Sequence, residues 1–210
     1  MNDVHIPKWR YGFIYKAVNF LLHFLNNLNL VELFKFVAKK LNKSTTDKEK
    51  VKAYARIGID IFISLKWIFL LLLWKCSWHS PILSVIIWYL IITNLYSYFY
   101  NHIWTDEALD TSKFTNDRIR SRFLNLLLAV FYSTFCFAYL YQVVYPSEFT
   151  WGDSGANTLY AIQFSFSNSV AANYGQVSPT TDSGNIVATI QLVITFIFVA
   201  IILSRSIPQK

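Results

Sequence analysis

The sequence predicts an all-α membrane protein with four transmembrane helices, a re-entrant half-helix and loop between the last two, and an N-terminal amphipathic helix. Three observations predict it. The composition is 54% hydrophobic and 18% aromatic with only 15% charged residues, where a soluble domain carries about a quarter charged. Residues 57–74, 81–100, 123–145 and 186–203 meet or approach the roughly 20 apolar residues that cross about 30 Å of hydrocarbon. The Lys and Arg residues then fall almost entirely on one side of that pattern.

The elements follow in chain order. Residues 1–56 form a cytoplasmic or interfacial N-terminal segment with no cleavable signal pattern, because Lys16, His23 and a run of Asn interrupt its apolar stretches. From Tyr11 to about Leu28, Lys16, Asn19, His23, Asn26 and Asn27 share one helical stripe, and Ile14, Val18, Leu21 and Leu25 lie on the other side. Such a helix lies in the membrane interface or packs on the protein's own bundle, and both placements stay open. Residues 26–29 are a break, 32–41 a second helical piece, and 42–52 a polar loop. Residues 57–100 form a two-helix membrane hairpin. Within it Lys66 sits mid-span and Asp60 near the cytoplasmic end, too far apart for an i,i+4 pair. A buried ammonium is costly, so Lys66 is expected to snorkel, to bond a neighbouring helix's backbone, or to serve gating. One lysine without an Arg ladder is no voltage sensor.

Residues 101–122 form a cytoplasmic link and 123–210 the last unit. Residues 1–56 hold eleven basic residues, the link four, and the tail Arg205 and Lys210, whereas the opposite side holds only Lys75. The positive-inside rule places both termini in the cytoplasm of a multi-pass plasma-membrane protein. The net charge of +7 follows that topology and does not indicate nucleic acid. Cys76 and Cys136 supply neither a disulfide framework nor a C-x-x-C site, and the four histidines lack ligand spacing, so no metal or cofactor is expected. Gly152-Asp153-Ser154-Gly155 reproduces the string around a chymotrypsin-like serine, but a four-span chain has no room for two β-barrels, and enzymatic activity is not expected.

Between the last two spans, residues 147–184 are too many for a plain turn and too polar to cross. Residues 157–170 are apolar enough for a short embedded helix with Asn157 or Thr158 as N-cap. There follow Ala171-Ala172-Asn173-Tyr174-Gly175-Gln176-Val177-Ser178-Pro179-Thr180-Thr181-Asp182-Ser183-Gly184, then the last apolar helix. This stretch resembles the two-helix pore module of the potassium-channel superfamily, whose pattern runs T-V-G-Y-G-D-x-x-P-x-T-x-x-G. Tyr174, Gly175, Pro179, Thr181 and Gly184 match in register. The resemblance covers about 123–205 and does not extend to the first two spans.

The resemblance implies a homotetramer in membrane lipid, with residues 171–176 as selectivity filter, a pore helix before it, and permeant monovalent cations, potassium and sodium, as its only ligands. Irregular backbone at membrane depth is tolerated where it lines water, and its carbonyls then replace an ion's hydration shell. Three positions depart from the family: Ala171 stands for its Thr, Asn173 for the first filter Gly, and Gln176 for the Asp. Asn tolerates positive φ, so the backbone path is expected to survive at Asn173, with weak discrimination between potassium and sodium. Glu148, Asp153 and Asp182 are expected in an outer vestibule that favours cations, or as solvated loop acids. On the last helix Thr195 takes the family's hinge-Gly position, and Phe196, Val199 and Leu203 follow at helical spacing. They form an apolar gate or pack against lipid and helices. With only seven residues after Leu203, regulation is expected through the link, lipid, or a cytosolic regulatory protein at the basic N-terminal segment. A non-conducting membrane scaffold with a degenerate channel fold is the alternative reading.

Overall fold

The structure is a computed structural model that describes residues 12–27, 29–41, 48–105, 116–153 and 155–206. Its helices are α1 (Phe13–Asn27), α2 (Leu30–Leu41), α3 (Lys48–Lys75), α4 (Pro81–Phe99), α5 (Asn116–Tyr139), α6 (Thr158–Ser169) and α7 (Asp182–Ser206). Four helical stretches are long and apolar enough to cross a membrane: Ala53–Lys75, Pro81–Phe99, Arg120–Val144 and Asp182–Ile201. The chain is thus a helical, multi-pass membrane protein. Contacts divide it into two compact units after Ser64, inside α3. The polar stretch expected as a loop over 42–52 already turns helical at Lys48, and its first residues, 42–47, lie outside the described residues.

In the N-terminal unit the Asn-rich break ends where Asn29 caps α2, its Oδ1 accepting from the Val31 N–H at 3.1 Å. α2 crosses α3 at Gly58, where an added Cβ would lie 3.0 Å from both the Ala38 Cβ and the Phe34 carbonyl oxygen. Phe34 and Phe62 pack beside that crossing with ring centroids 5.2 Å apart. Phe13, Phe20, Leu21 and Phe24 of α1 and Leu33, Phe36 and Val37 of α2 stay exposed.

In the second unit α5 is the central element. Its Tyr132, Cys136, Phe137, Tyr139, Leu140 and Tyr141 are fully buried among Leu70 and Leu73 of α3, Ile87 and Ile91 of α4, and Phe198 and Ile201 of α7. Packed aromatic pairs such as Trp67 with Tyr132 and Trp88 with Phe137, both edge-on near 5.5 Å, fill this core. Toward the α3–α4 turn, indole and phenol groups find polar partners. Trp74 Nε1 donates to Gln142 Oε1 at 2.7 Å, Trp88 Nε1 to the Tyr145 hydroxyl at 3.2 Å, and the Tyr139 hydroxyl to the Trp78 carbonyl. Amphipathic aromatics of this kind suit the boundary between hydrocarbon and water.

Lys66 is only 8% exposed. Its Nζ donates to Asn94 Oδ1 at 2.7 Å and lies 4.3 Å from the Tyr132 ring centroid, while Asn94 Nδ2 donates to the Ala129 carbonyl at 2.9 Å. The expected bond to a neighbouring helix is therefore made to a side chain, which relays it to backbone. Asp60 is exposed on the same helix.

Candidate functional site

The half-helix α6 begins where the sequence suggests. The Asn157 side chain accepts from the Tyr160 N–H at 2.9 Å, which satisfies one of the donors an N-terminus leaves over. Its 12 residues span about 18 Å, roughly half a membrane. It ends in a Schellman motif: the Ala172 N–H donates to the Ser167 carbonyl at 2.8 Å and the Ala171 N–H to the Asn168 carbonyl at 2.9 Å. That motif needs a left-handed residue, and Ala171 supplies it at φ 56°.

The positive φ therefore falls on Ala171, and neither Asn173, which tolerates one, nor Gly175 takes it. Ala at this position suits the observed backbone better than the Thr of the resembled pattern. A β-branched residue resists the left-handed region more than Ala does.

Beyond the helix the loop is held from several sides. The Tyr174 hydroxyl donates to Gln163 Oε1 of α6, and its ring meets Tyr160 edge-on at 6.3 Å. The Gly152 N–H donates to the Gln176 carbonyl at 2.7 Å, and the Gln176 amide lies over the Gly152 Cα, where a side chain would collide with it. A two-stranded antiparallel ladder then pairs β1 (Phe149–Trp151) with β2 (Val177–Pro179), Thr150 opposite Ser178. Nothing in the sequence pattern announced this ladder, whose strands are three residues each.

The start of α7 explains two of the motif residues. Thr181 Oγ1 accepts from the Gly184 N–H at 3.1 Å as an N-cap and donates to the Glu148 carboxylate. Gly184 lies so near the preceding segment that an added Cβ would sit 2.5 Å from the Glu148 carbonyl oxygen. The three acids separate accordingly. Glu148 is a half-buried brace for α7, whereas Asp153 and Asp182 are exposed.

Behind the loop lies a buried polar network that sequence reasoning missed. Gln191 Nε2 of α7 donates to the Ser165 carbonyl at 2.9 Å and to its hydroxyl at 2.7 Å. Gln191 Oε1 accepts from the Tyr141 hydroxyl at 2.6 Å and from Asn168 Nδ2 at 2.9 Å. Asn168 Nδ2 also reaches the Ala188 carbonyl at 3.0 Å, and Ser165 Oγ donates to the Thr134 carbonyl at 2.7 Å. Tyr141 can join because α5 continues into a π-helical turn at Leu140–Val144, a widened turn that often accompanies function. Its signal in the sequence was the amide of Gln191 in an otherwise apolar span.

No family model, curated protein or solved structure matches the chain.

The remaining expected residues lie on α7. Its buried face carries Val187, Ala188, Gln191, Ile194, Phe198 and Ile201. The opposite face leaves Ile186, Val193, Phe196 at 72% and Val199 at 44% exposure, with Thr195 half-buried between the two faces. The side chain of Leu203 lies outside the described residues. Phe196 and Val199 are thus both on the side of α7 that the described residues leave uncovered. Ala171, Ala172, Asn173, Gly175 and Gln176 are likewise exposed, with Tyr174 half-buried.

Proposed function

We propose that four copies of this chain assemble around residues 171–176 into a weakly selective monovalent-cation pore of the potassium-channel type, in the plasma membrane with both termini cytoplasmic. One observation carries the reading. The loop is exposed toward one side, while everything behind it is tied into α5, α6 and α7 by buried hydrogen bonds. A loop whose chemistry were only structural has no need of such bracing, whereas a filter must hold its shape against a passing ion. The C-terminal end of α6, with its partial negative charge, adjoins the loop and favours cations. Closed rotational symmetry supplies the walls that one subunit lacks.

The N-terminal helices fit the inner membrane surface in this reading. α2 crosses α3 at Gly58, five residues into the span that starts at Ala53, about 7 Å along the helix axis. At that depth the exposed Leu33, Phe36 and Val37 meet acyl chains. The basic residues of the same segment then face lipid headgroups or a cytosolic regulatory protein.

The test is planar-bilayer recording of the purified protein under opposed potassium and sodium gradients. Cation current with a reversal potential between the two equilibrium values supports the proposal. A potassium-equilibrium reversal refutes weak selectivity, and a monomeric particle refutes the pore. One observation favours the second reading, a non-conducting scaffold: neither Asn173 nor Gly175 adopts the left-handed backbone. A well-formed tetramer that carries no current would support it.

A further inference from the structure

Within the loop the polar groups are not equally free. The Tyr174 carbonyl accepts from the Val177 N–H at 3.2 Å and the Gln176 carbonyl from the Gly152 N–H at 2.7 Å. The Tyr174 hydroxyl is bonded to Gln163, and the Gln176 amide is folded back over Gly152. Ser169, the last residue of α6, returns its hydroxyl to the Phe166 carbonyl at 2.7 Å. The side chains of Ala171 and Ala172 are methyl groups. Of the described residues 171–176, Asn173 and Gln176 carry exposed polar side chains that make no hydrogen bond, and of the two only the Gln176 amide is packed back onto Gly152.

We infer that the Asn173 amide oxygens, one per subunit, are the selective ligand of the pore, taking the place that backbone carbonyls at Tyr174 and Gln176 would fill. This rests on the pore reading above. A carbonyl already engaged by an N–H of its own fold offers a passing ion less, whereas an unpartnered amide oxygen is a neutral, hard ligand suited to monovalent cations. A single ring of amides on flexible side chains strips fewer waters than a stack of fixed carbonyls. Weak discrimination between potassium and sodium follows from this arrangement, and side-chain size at residue 173 sets the narrowest diameter.

The experiment uses the full chain reconstituted in planar bilayers, with calcium and methylated ammonium ions as probes. Asn173→Asp puts a carboxylate in each subunit at one level and is expected to lower the calcium concentration that halves potassium current by about tenfold or more. Asn173→Gly is expected to make dimethylammonium several-fold more permeant relative to potassium. Thr158→Glu, which adds one carboxylate per subunit at an exposed site outside residues 171–176, is expected to leave calcium inhibition within about twofold of wild type. Conducting Asn173 variants with unchanged calcium inhibition and unchanged size cutoff overturn the assignment, and so does a Thr158→Glu effect as large as that of Asn173→Asp. A wild-type tetramer without current removes the pore reading itself and this inference with it.

Discussion

Gln191 of α7 donates twice to Ser165 of α6, to its carbonyl at 2.9 Å and its hydroxyl at 2.7 Å, fixing the last span against the half-helix at one level. Because Oε1 of the same amide accepts from Tyr141 and Asn168, Gln191→Leu strands several buried polar groups at once. Interhelical hydrogen bonds in membranes contribute about 0.6 kcal/mol on average and up to about 1.7 kcal/mol. The variant is expected to lose about 2–3 kcal/mol, and a lowered thermal midpoint of the detergent-solubilised protein checks it. Ser165→Ala, which keeps the carbonyl partner, is expected to lose less.

At the end of α6 the left-handed Ala171 makes a second prediction, of opposite signs for two substitutions. Ala171→Gly relieves the Cβ penalty at the C′ position and is expected to stabilise by about 1 kcal/mol. Ala171→Thr places a β-branched side chain at positive φ, costing about 1–3 kcal/mol. Paired thermal unfolding of the two variants decides it. Greater stability in the Thr variant would mean that the helix ends another way.

Much of the framework was legible in the sequence, and the reasons are local. Spans announce themselves by length and apolarity, and Asn157 and Asn29 cap helices through bonds two or three residues away. What was illegible depends on residues brought together from afar. Tyr141, Ser165 and Gln191 meet only after α5, α6 and α7 have packed, and the π-turn that aims Tyr141 has no sequence period of its own. Lys66 lay between. Its burial demanded a partner on another helix, but only the fold selects Asn94. The three acids illustrate the same limit, because nothing in their spacing separates Glu148, held by Thr181, from exposed Asp153 and Asp182.

Two glycines of the motif are expected to fail in different ways. Gly184→Ala drives a methyl group to 2.5 Å from the Glu148 carbonyl oxygen, inside its own subunit, and is expected to reduce yield and thermal stability. Around Gly175 nothing of its own subunit lies within 4 Å of an added Cβ. Gly175→Ala is therefore expected to fold and assemble normally while altering conduction. Size-exclusion chromatography with bilayer recording separates the two, and equal losses of yield would refute the distinction.

The buried lysine yields a test of coupling. Asn94→Leu removes the hydrogen-bond acceptor of the Lys66 ammonium, and stranding a buried, charged donor in this way costs about 1–3 kcal/mol. Lys66→Met removes the charge and leaves Asn94 bonded to the Ala129 carbonyl, so its cost is expected to be smaller. The double variant should be more stable than Asn94→Leu alone. Additive losses in that cycle would mean that the two side chains do not depend on each other.

The last prediction concerns closure of the proposed pore. Phe196 and Val199 lie on the face of α7 that the described residues leave uncovered, whereas Phe198 on the opposite face is buried against Tyr98 at a ring separation of 6.2 Å. If four α7 helices surround an axis, each substitution on the uncovered face changes four side chains at one level. An apolar ring at that level closes by expelling water, and an amide ring keeps water in place. Phe196→Asn and Val199→Asn are therefore expected to raise resting current severalfold without lowering the yield of tetramer. Phe198→Asn buries an amide in the packed core and is expected to lower yield instead, by the cost of an unpaired polar group, about 1–3 kcal/mol. Resting current measured per assembled tetramer distinguishes these cases. Unchanged current in both uncovered-face variants would place the gate at the loop of residues 171–176, and a current increase in Phe198→Asn would mean that the buried face of α7 turns toward the axis.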